Sequence, residues 1–206
     1  MEIFLRDRNP KVVASWRHFF GRGAKVDIAE GEVLELEVSA LVTPLNSFGL
    51  MGDGLAQELN RLAGGNLEAR VRKMILDRHA GELPVGTAEI LPTGLQHPSL
   101  VVLAPTVRVP ATMQANANVN SFLSTRAALR AVAAFLRSGE SKGGISKISS
   151  VAFVGMGTGG GKCPPATAAF QMYEAYCQVV LGQVPNFATI EAAVAHDQEL
   201  RKNRFL

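Results

Sequence analysis

A glycine-rich stretch, Gly155–Pro165, is the part of the sequence best suited to bind an anion. It follows an apolar run, Ser150–Val154, that predicts a buried central strand, and it ends at two prolines that open a helix. Because the turn carries almost no side chains, its backbone N–H groups can approach a ligand, and the helix adds the positive end of its dipole. The pattern predicts a phosphate site; the alternative is a tight turn that needs glycine only for its φ angles.

The stretch matches neither of two common phosphate motifs in full. In a P-loop, Met156 would stand at the first glycine and Cys163 at the hydroxyl position, so that motif is excluded. Gly155, Gly157 and Gly160 do satisfy G-x-G-x-x-G, the dinucleotide fingerprint. They lie three-quarters along the chain, however, with no acidic strand end about 20 residues further on. An NAD-dependent oxidoreductase stays open as an alternative.

A second loop, Asn46–Gly54, also follows a β-rich stretch and precedes a helical pattern, so it can cover a ligand held by the first loop. The Asn46 amide both donates and accepts hydrogen bonds, which suits a pair of ribose hydroxyls. Gly52 and Gly54 let the backbone bend around such a ligand. The alternative for Asn46 is a structural role as a helix cap or in an Asx-turn.

Composition indicates a globular protein with one hydrophobic core. The chain has 206 residues, of which 47% are apolar and 19% are charged. This length favours a single domain over residues 1–206, and no linker is visible. The net charge is only +3 and the basic residues are scattered along the chain, so nucleic acid is not an expected partner.

Targeting and metal-binding signals are not evident in the sequence. Charged residues interrupt the first twenty positions, and no apolar run reaches the roughly 18 residues that span a bilayer, so we expect a cytoplasmic protein without a membrane partner. Cys163 and Cys177 are too few for a disulfide framework or a zinc cluster, and we expect Cys163 to be a bystander thiol. No metal site is expected, and we interpret all four histidines as non-catalytic: His18, His79, His97 and His196.

Strands alternate with helices along the chain, which predicts α/β layering with helices on both faces of a mixed, mainly parallel sheet of six or more strands. The short, charged strand Glu2–Asp7 is expected at an edge of that sheet. The predicted strands are Glu2–Asp7, Lys25–Ile28, Val33–Leu36, Ser39–Thr43, Thr87–Leu91, Leu100–Ala104 and Ser150–Val154. The predicted helices are Pro10–Gly21, Leu55–Leu62, Leu67–Ile75, Ser121–Leu136, Pro164–Val179 and Ile190–Leu200.

Taken together, the two loops resemble those of the macrodomain family, and the resemblance runs in order over nearly the whole chain. The sequence looks most like a bacterial and phage branch with an extra N-terminal strand and helix, here residues 1–23, packed on the domain. The resemblance implies a three-layer α/β/α sandwich with a six- or seven-stranded sheet. The matching segments are Gly31–Val33, Ala40–Asn46, Ser47–Gly54, Leu103–Thr106, Gly157–Gly161 with Pro164, Ala168–Ala169 and Gln171–Met172.

The resemblance implies that the ligand is ADP-ribose or an ADP-ribosylated protein or small molecule, with no separate cofactor. Asn46 would face the distal ribose, and Glu32, where the family usually has aspartate, would accept a hydrogen bond from the adenine amino group. Many members of the family have an aromatic residue in the diphosphate loop that stacks on the distal ribose. This chain has Gly160 and Gly161 there, and Phe48 is a candidate substitute. Backbone N–H groups of the glycine-rich loop Gly155–Pro165 would wrap the diphosphate; the ligand-binding residues implied there are Gly157, Thr158, Gly159, Gly160, Gly161 and Lys162.

The resemblance weakens at catalysis. Macrodomains that remove ADP-ribose commonly carry an aspartate ten residues after the loop asparagine, and this chain has Ala56 there. Asp53, with Asn46, is the candidate catalytic residue. Gln57 and Glu58 partly resemble the Gln-Glu-Glu motif of poly(ADP-ribose) glycohydrolases. We therefore expect a reader with weak or no hydrolase activity; hydrolysis of ADP-ribosyl groups or deacetylation of O-acetyl-ADP-ribose is the alternative.

Overall fold

A six-stranded sheet crosses the molecule in the computed structural model, which describes residues 1–21, 23–109, 118–139, 141–145 and 147–204. Its strands are β1 (Glu2–Asp7), β2 (Asp27–Glu30), β3 (Ala40–Asn46), β4 (Glu89–Pro92), β5 (Leu100–Val107) and β6 (Ser150–Phe153). The helices are α1 (Pro10–Phe20), α2 (Gly54–Leu62), α3 (Leu67–His79), α4 (Asn120–Ser138), α5 (Pro165–Val179) and α6 (Ile190–Arg201).

The strands lie in the order β2-β1-β6-β3-β5-β4, and all neighbouring pairs are parallel except β4 with β5. The predicted mixed, mainly parallel sheet of six or more strands is confirmed. All four residues of β6 are buried, as expected of a central strand covered on both faces.

Helices cover both faces of this sheet and form a three-layer sandwich. Side chains alternate along a strand, so β3 sends Ala40 and Val42 to one face, and Leu41 and Leu45 to the other. The first face packs against apolar residues of α1, α4 and α5, and the second against those of α2 and α3. The α/β/α architecture expected from the resemblance is confirmed.

The N-terminal strand lies inside the sheet, so the expectation that Glu2–Asp7 forms an edge was wrong. β1 pairs in parallel with β6 on one side, where Ile3 is opposite Val151, and with β2 on the other. Its charged residues are at its ends, whereas Ile3 and Leu5 are buried in the core. The four-residue β2 takes the edge position instead. β1 thus lies within the sheet, and α1 packs beside α4 and α5 on one face of that sheet.

The predicted strand Val33–Leu36 does not form. These residues include a short 3₁₀ helix, Val33–Glu35, that links the edge strand β2 to the central strand β3. Val33 is buried in the core, Leu34 and Leu36 pack against the core while partly exposed, and Glu32 precedes the turn. A short apolar run of this kind is compatible with a half-buried strand and equally with a turn whose apolar side chains pack on the core.

The predicted helices are confirmed, with ends that differ by a few residues. α1 begins after Asn9, whose side-chain oxygen accepts a hydrogen bond from the N–H of Lys11 at 3.0 Å, and Pro10 occupies its first turn. The apolar face expected for α3 is buried at Leu67, Val71 and Ile75. None of the helices in the described part of the chain is long and apolar enough to cross a bilayer.

Candidate ligand-binding cleft

A cleft of about 1310 Å³ opens where the parallel strands end. Asp7 at the end of β1, Asn46 at the end of β3, Thr106 in β5 and Val154 after β6 all line it. Because the carboxyl ends of parallel strands meet at one edge of a sheet, loops from distant parts of the chain converge here. Both loops singled out from the sequence contribute to its walls.

Three backbone hydrogen bonds within the loop after β6 close it, and the Thr158 hydroxyl adds a fourth bond to the Gly155 carbonyl at 2.9 Å. The N–H of Thr158 donates to the carbonyl of Gly155 at 3.2 Å, that of Lys162 to Gly159 at 2.9 Å, and that of Cys163 to Gly157 at 3.0 Å. Gly157 has a φ of +80° and Lys162 has a φ of +52°, in the left-handed region. The loop is a sequence of tight turns with its ends held together.

The closed turns leave a run of donors unused. Within the described residues, the backbone N–H groups of Gly159, Gly160 and Gly161 donate no hydrogen bond, and all three residues line the cleft. Thr158 also lines it, but its N–H, like that of Lys162, is engaged within the loop, and Lys162 lies outside the cleft lining. The resemblance implied that both residues offer backbone N–H groups to a ligand, but in this structure those groups are used within the loop.

Only some of the glycines in this loop are needed for packing. A Cβ atom on Gly155 would lie 2.5 Å from Oγ1 of Thr158 and 3.0 Å from Cγ1 of Val12, so a side chain there requires a shift. Gly159 and Gly160 have no atom within 4 Å of such a Cβ and no positive φ. The tight-turn explanation accounts for Gly155 and Gly157 but not for Gly159 and Gly160, whose bare backbone is free to meet a ligand.

Asp7 fixes the start of the same loop from the neighbouring strand. Its Oδ2 accepts a 2.9 Å hydrogen bond from the N–H of Gly155, and its Oδ1 accepts one from the N–H of Asn9 at 2.9 Å. One carboxylate therefore anchors both the glycine-rich loop and the start of α1. Sequence reasoning missed this role because the neighbours of β1 in the sheet do not follow from its local pattern, which predicted only an edge strand.

Asn46 holds the second loop in shape. Its Oδ1 accepts hydrogen bonds from the N–H groups of Phe48 at 3.1 Å and Leu50 at 3.2 Å, while its Nδ2 donates to the carbonyl of Leu50 at 2.8 Å. The Asx-turn alternative therefore describes most of what this side chain does. Asn46 still lines the cleft, and its amide retains a second N–H.

Three predicted site residues in or near these loops do not line the cleft: Phe48, Gly52 and Lys162. The Phe48 ring lies 5.3 Å from the guanidinium carbon of Arg108, which is itself held by Glu82 at 2.8 Å. Gly54 does line the cleft and has a φ of +56°, so it turns the chain into α2 with a backbone that favours glycine.

Carboxylate and arginine side chains also line the cleft. Arg8 forms ion pairs with Glu32, which precedes the 3₁₀ helix, and with Glu58 of α2, the latter at 3.5 Å. Asp53 stands at the N-cap of α2, exposed, and its side chain makes no hydrogen bond within the described residues. Ala56 also lines the cleft and is 6% exposed, so the position that the resemblance compares with a catalytic aspartate does face the site.

Other reactive side chains lie away from the cleft. Cys163 is buried, with its Sγ 3.8 Å from Oγ of Ser121, and burial raises the pKa of this thiol, which disfavours a nucleophilic role. None of the four histidines lines the cleft: His18, His79, His97 and His196. Among the described residues, no group of three or more potential ligands could hold a metal ion.

The dinucleotide fingerprint does not fit its structural surroundings. That motif belongs to a tight turn that leads straight from a strand into a helix. Here Gly160 is followed by a further turn, and α5 begins only at Pro165. The oxidoreductase alternative therefore loses the feature that motivated it.

The sheet order and the paired loops at its carboxyl edge define an α/β/α domain with a cleft suited to a phosphorylated ligand. The family model of the Macro domain matches residues 42–172, so the chain belongs to the macrodomain family. An uncharacterized protein of Aquifex aeolicus is 32% identical over 149 residues, 72% of this chain and 79% of that protein. One of Aeropyrum pernix is 29% identical over 165 residues, covering 80% and 77%.

Solved structures share the fold at low sequence identity. The macrodomain of Mycobacterium tuberculosis DarG has a TM-score of 0.58 at 22% identity and covers 73% of this chain and 88% of that chain. A mutant Oceanobacillus iheyensis macrodomain with ADPR has a TM-score of 0.57 at 18% identity, with coverages of 82% and 88%. Thermosipho africanus DarTG in complex with ADP-ribose has a TM-score of 0.53 at 18% identity and covers 75% and 38%.

Proposed function

We propose that the protein binds ADP-ribose, free or attached to a protein or small molecule, and acts as a reader with weak or no hydrolase activity. The observation that carries this proposal is the run of three N–H groups at Gly159–Gly161, which line the cleft and donate no hydrogen bond within the described part of the chain. Adjacent backbone donors without side chains form a concave anion site, and a diphosphate offers several oxygens to fill it.

The other predicted contacts lie around the same cleft. Glu32 would accept a hydrogen bond from the adenine amino group, and the remaining N–H of Asn46 would reach a hydroxyl of the distal ribose. Members of the family that share this fold were solved with ADP-ribose or ADPR, which supports the same ligand here. The cleft is also large enough for a ligand of this size.

The reader assignment depends on whether the lining of the cleft supplies a catalytic group. Cleavage of an ADP-ribosyl bond needs a group that positions or deprotonates water, which typically contributes 10² to 10⁴-fold in rate. Ala56 supplies no such group. Hydrolysis is the second candidate function, because Asp53 places a carboxylate in the lining of the cleft.

Calorimetric titration with ADP-ribose and with NAD tests the proposal. We expect ADP-ribose to bind at least about tenfold more tightly than NAD. Gly160→Glu would put a bulky negative group into the proposed phosphate site and should lower the affinity for ADP-ribose at least about 100-fold. Gly160→Ala is the matched control, since its Cβ meets no atom within 4 Å and the fold should be unaffected. Tight NAD binding without a response to ADP-ribose, or unchanged affinity in Gly160→Glu, would contradict the proposal.

A further inference from the structure

The cleft lacks the kind of side chain on which a nucleobase usually stacks. None of the described residues that line it is aromatic. A purine is flat and largely apolar on its faces, and contact of a face with a planar group contributes substantially to the binding of a base. Among the described lining residues, the side chains that carry a planar cation are three arginines: Arg6, Arg8 and Arg61.

Arg8 is the arginine best placed to meet a base. Arg6 is 12% exposed in its side chain and is held by Asp27 at 2.7 Å, so its guanidinium is mostly covered. Arg61 lies in the last turn of α2, and among the described residues it makes no ion pair with Glu32. Arg8, by contrast, lies beside Glu32, the residue proposed to accept the adenine amino group, and its side chain is 66% exposed.

Two carboxylates hold the Arg8 guanidinium by its edge. Nε faces Oε1 of Glu32, and Nη2 is 3.5 Å from Oε2 of Glu58. The N–H donors of a guanidinium lie in its plane, so partners bound to them leave its two faces free for stacking. These partners come from different elements, one after β2 and one in α2, and therefore limit rotation of the plane.

The same arrangement leaves Glu32 able to bind a base at its edge. Arg8 uses Oε1 of Glu32, and Oε2 has no partner among the described residues. A base that lies parallel to the guanidinium could direct its amino group to that second oxygen. Face contact and edge recognition then come from two neighbouring residues, Arg8 and Glu32.

We propose that the guanidinium of Arg8 is the platform on which the adenine base stacks, an inference that rests on ADP-ribose being the ligand. Both the charge and the flat shape of the guanidinium contribute. A cation above an aromatic ring is attracted to the ring, and a flat cation also gains contact area. A lysine at this position would keep the charge and lose the plane. A phenylalanine would keep a plane and lose the charge.

Calorimetry on paired variants separates these two contributions. We expect Arg8→Lys to weaken ADP-ribose binding about tenfold and Arg8→Phe to stay within about threefold of the parent protein. Ribose 5-phosphate, which has no base, should bind the parent and both variants equally. Arg17→Lys and Arg17→Phe, at an exposed position of α1 outside the cleft, serve as matched controls and should leave both affinities unchanged.

A nuclear magnetic resonance measurement observes the contact directly. The Nε–H resonance of Arg8, assigned by its absence in Arg8→Lys, should move upfield when ADP-ribose binds, because protons over a purine face are shielded, and ribose 5-phosphate should not move it. If the parent protein binds no ADP-ribose, the proposed function fails and this inference with it. If the parent binds but Arg8→Lys binds equally well, or the Arg8 resonance does not shift, the function stands and the stacking role is overturned.

Discussion

The backbone N–H of Gly155 donates a 2.9 Å hydrogen bond to Oδ2 of Asp7, which joins the end of β6 to the end of β1. These residues are 148 positions apart in the sequence. Because the other carboxylate oxygen accepts from the N–H of Asn9, Asp7 holds three elements of the cleft in one arrangement. The glycine-rich loop is thus anchored by the N-terminal strand as well as by its own turns.

Asp7→Asn should lower the free energy of unfolding by about 1–2 kcal/mol. The amide keeps one acceptor oxygen but turns an NH₂ group toward one of two backbone donors that both need an acceptor. Urea titration measures the change. Asp77→Asn, which removes a carboxylate from the exposed ion pair with Lys73 on α3, is the control and should cost less than about 1 kcal/mol. Equal losses in the two variants would show that the Asp7 hydrogen bonds contribute nothing special.

Two glycines of the same loop should differ in how much stability an added methyl group costs. Gly155→Ala places Cβ 2.5 Å from Oγ1 of Thr158 and 3.0 Å from Val12, so we expect a loss of about 1–3 kcal/mol in stability, measured by urea titration. Gly159→Ala meets no atom within 4 Å and should leave stability nearly unchanged. A destabilised Gly159→Ala with a stable Gly155→Ala would contradict the described loop conformation.

The layered fold follows from local patterns that the sequence displays openly. The apolar run of β6 predicts a strand covered on both faces, and Asn9 with Pro10 predicts the start of α1. Strand order is different, because it depends on which surfaces pack together and not on any one segment. The position of β1 between β6 and β2 depends on such packing, and the sequence instead predicted an edge strand. Because of that wrong prediction, Asp7 and Arg8 were not recognised as parts of the cleft.

Residue types indicate which groups can do chemistry but not which of them are already occupied. Asn46 was predicted from its amide, and the amide does face the cleft, but both acceptor positions of its oxygen are used by the backbone of its own loop. Thr158 and Lys162 likewise use their N–H groups to close turns. Whether a donor or acceptor is used by the protein's own loop or is left for a ligand depends on the folded backbone geometry. For this reason only part of the candidate site could be predicted.

Glu32 should set the preference for adenine. A carboxylate oxygen accepts from the amino group of adenine but opposes the carbonyl oxygen that hypoxanthine carries at the same place. We therefore expect ADP-ribose to bind at least about tenfold more tightly than inosine diphosphate ribose, as measured by calorimetry. Glu32→Gln, whose amide can also donate, should reduce that ratio severalfold. Glu58→Gln, which alters the other partner of Arg8, should preserve it; a ratio insensitive to Glu32 would place the base elsewhere.

Hydrolase activity should be weak or absent in the unmodified protein. The position expected to carry a water-positioning carboxylate is Ala56, and Asp53, although it lines the cleft, is exposed and makes no hydrogen bond within the described residues that would hold it toward a water. Incubation with proteins ADP-ribosylated on glutamate, arginine or serine, and with O-acetyl-ADP-ribose, measures the turnover of each linkage.

Asp53→Ala tests whether any turnover that is seen comes from this carboxylate. If Asp53 positions the water, the variant should lose about 10² to 10⁴-fold in rate while its affinity for ADP-ribose stays the same, because the group would act on the water and not on the diphosphate. Asp77→Ala, on the exposed face of α3 and away from the cleft, is the matched control. Robust turnover that disappears in Asp53→Ala and persists in Asp77→Ala would make the protein a hydrolase with Asp53 as its catalytic residue; negligible turnover with intact binding would support the reader assignment.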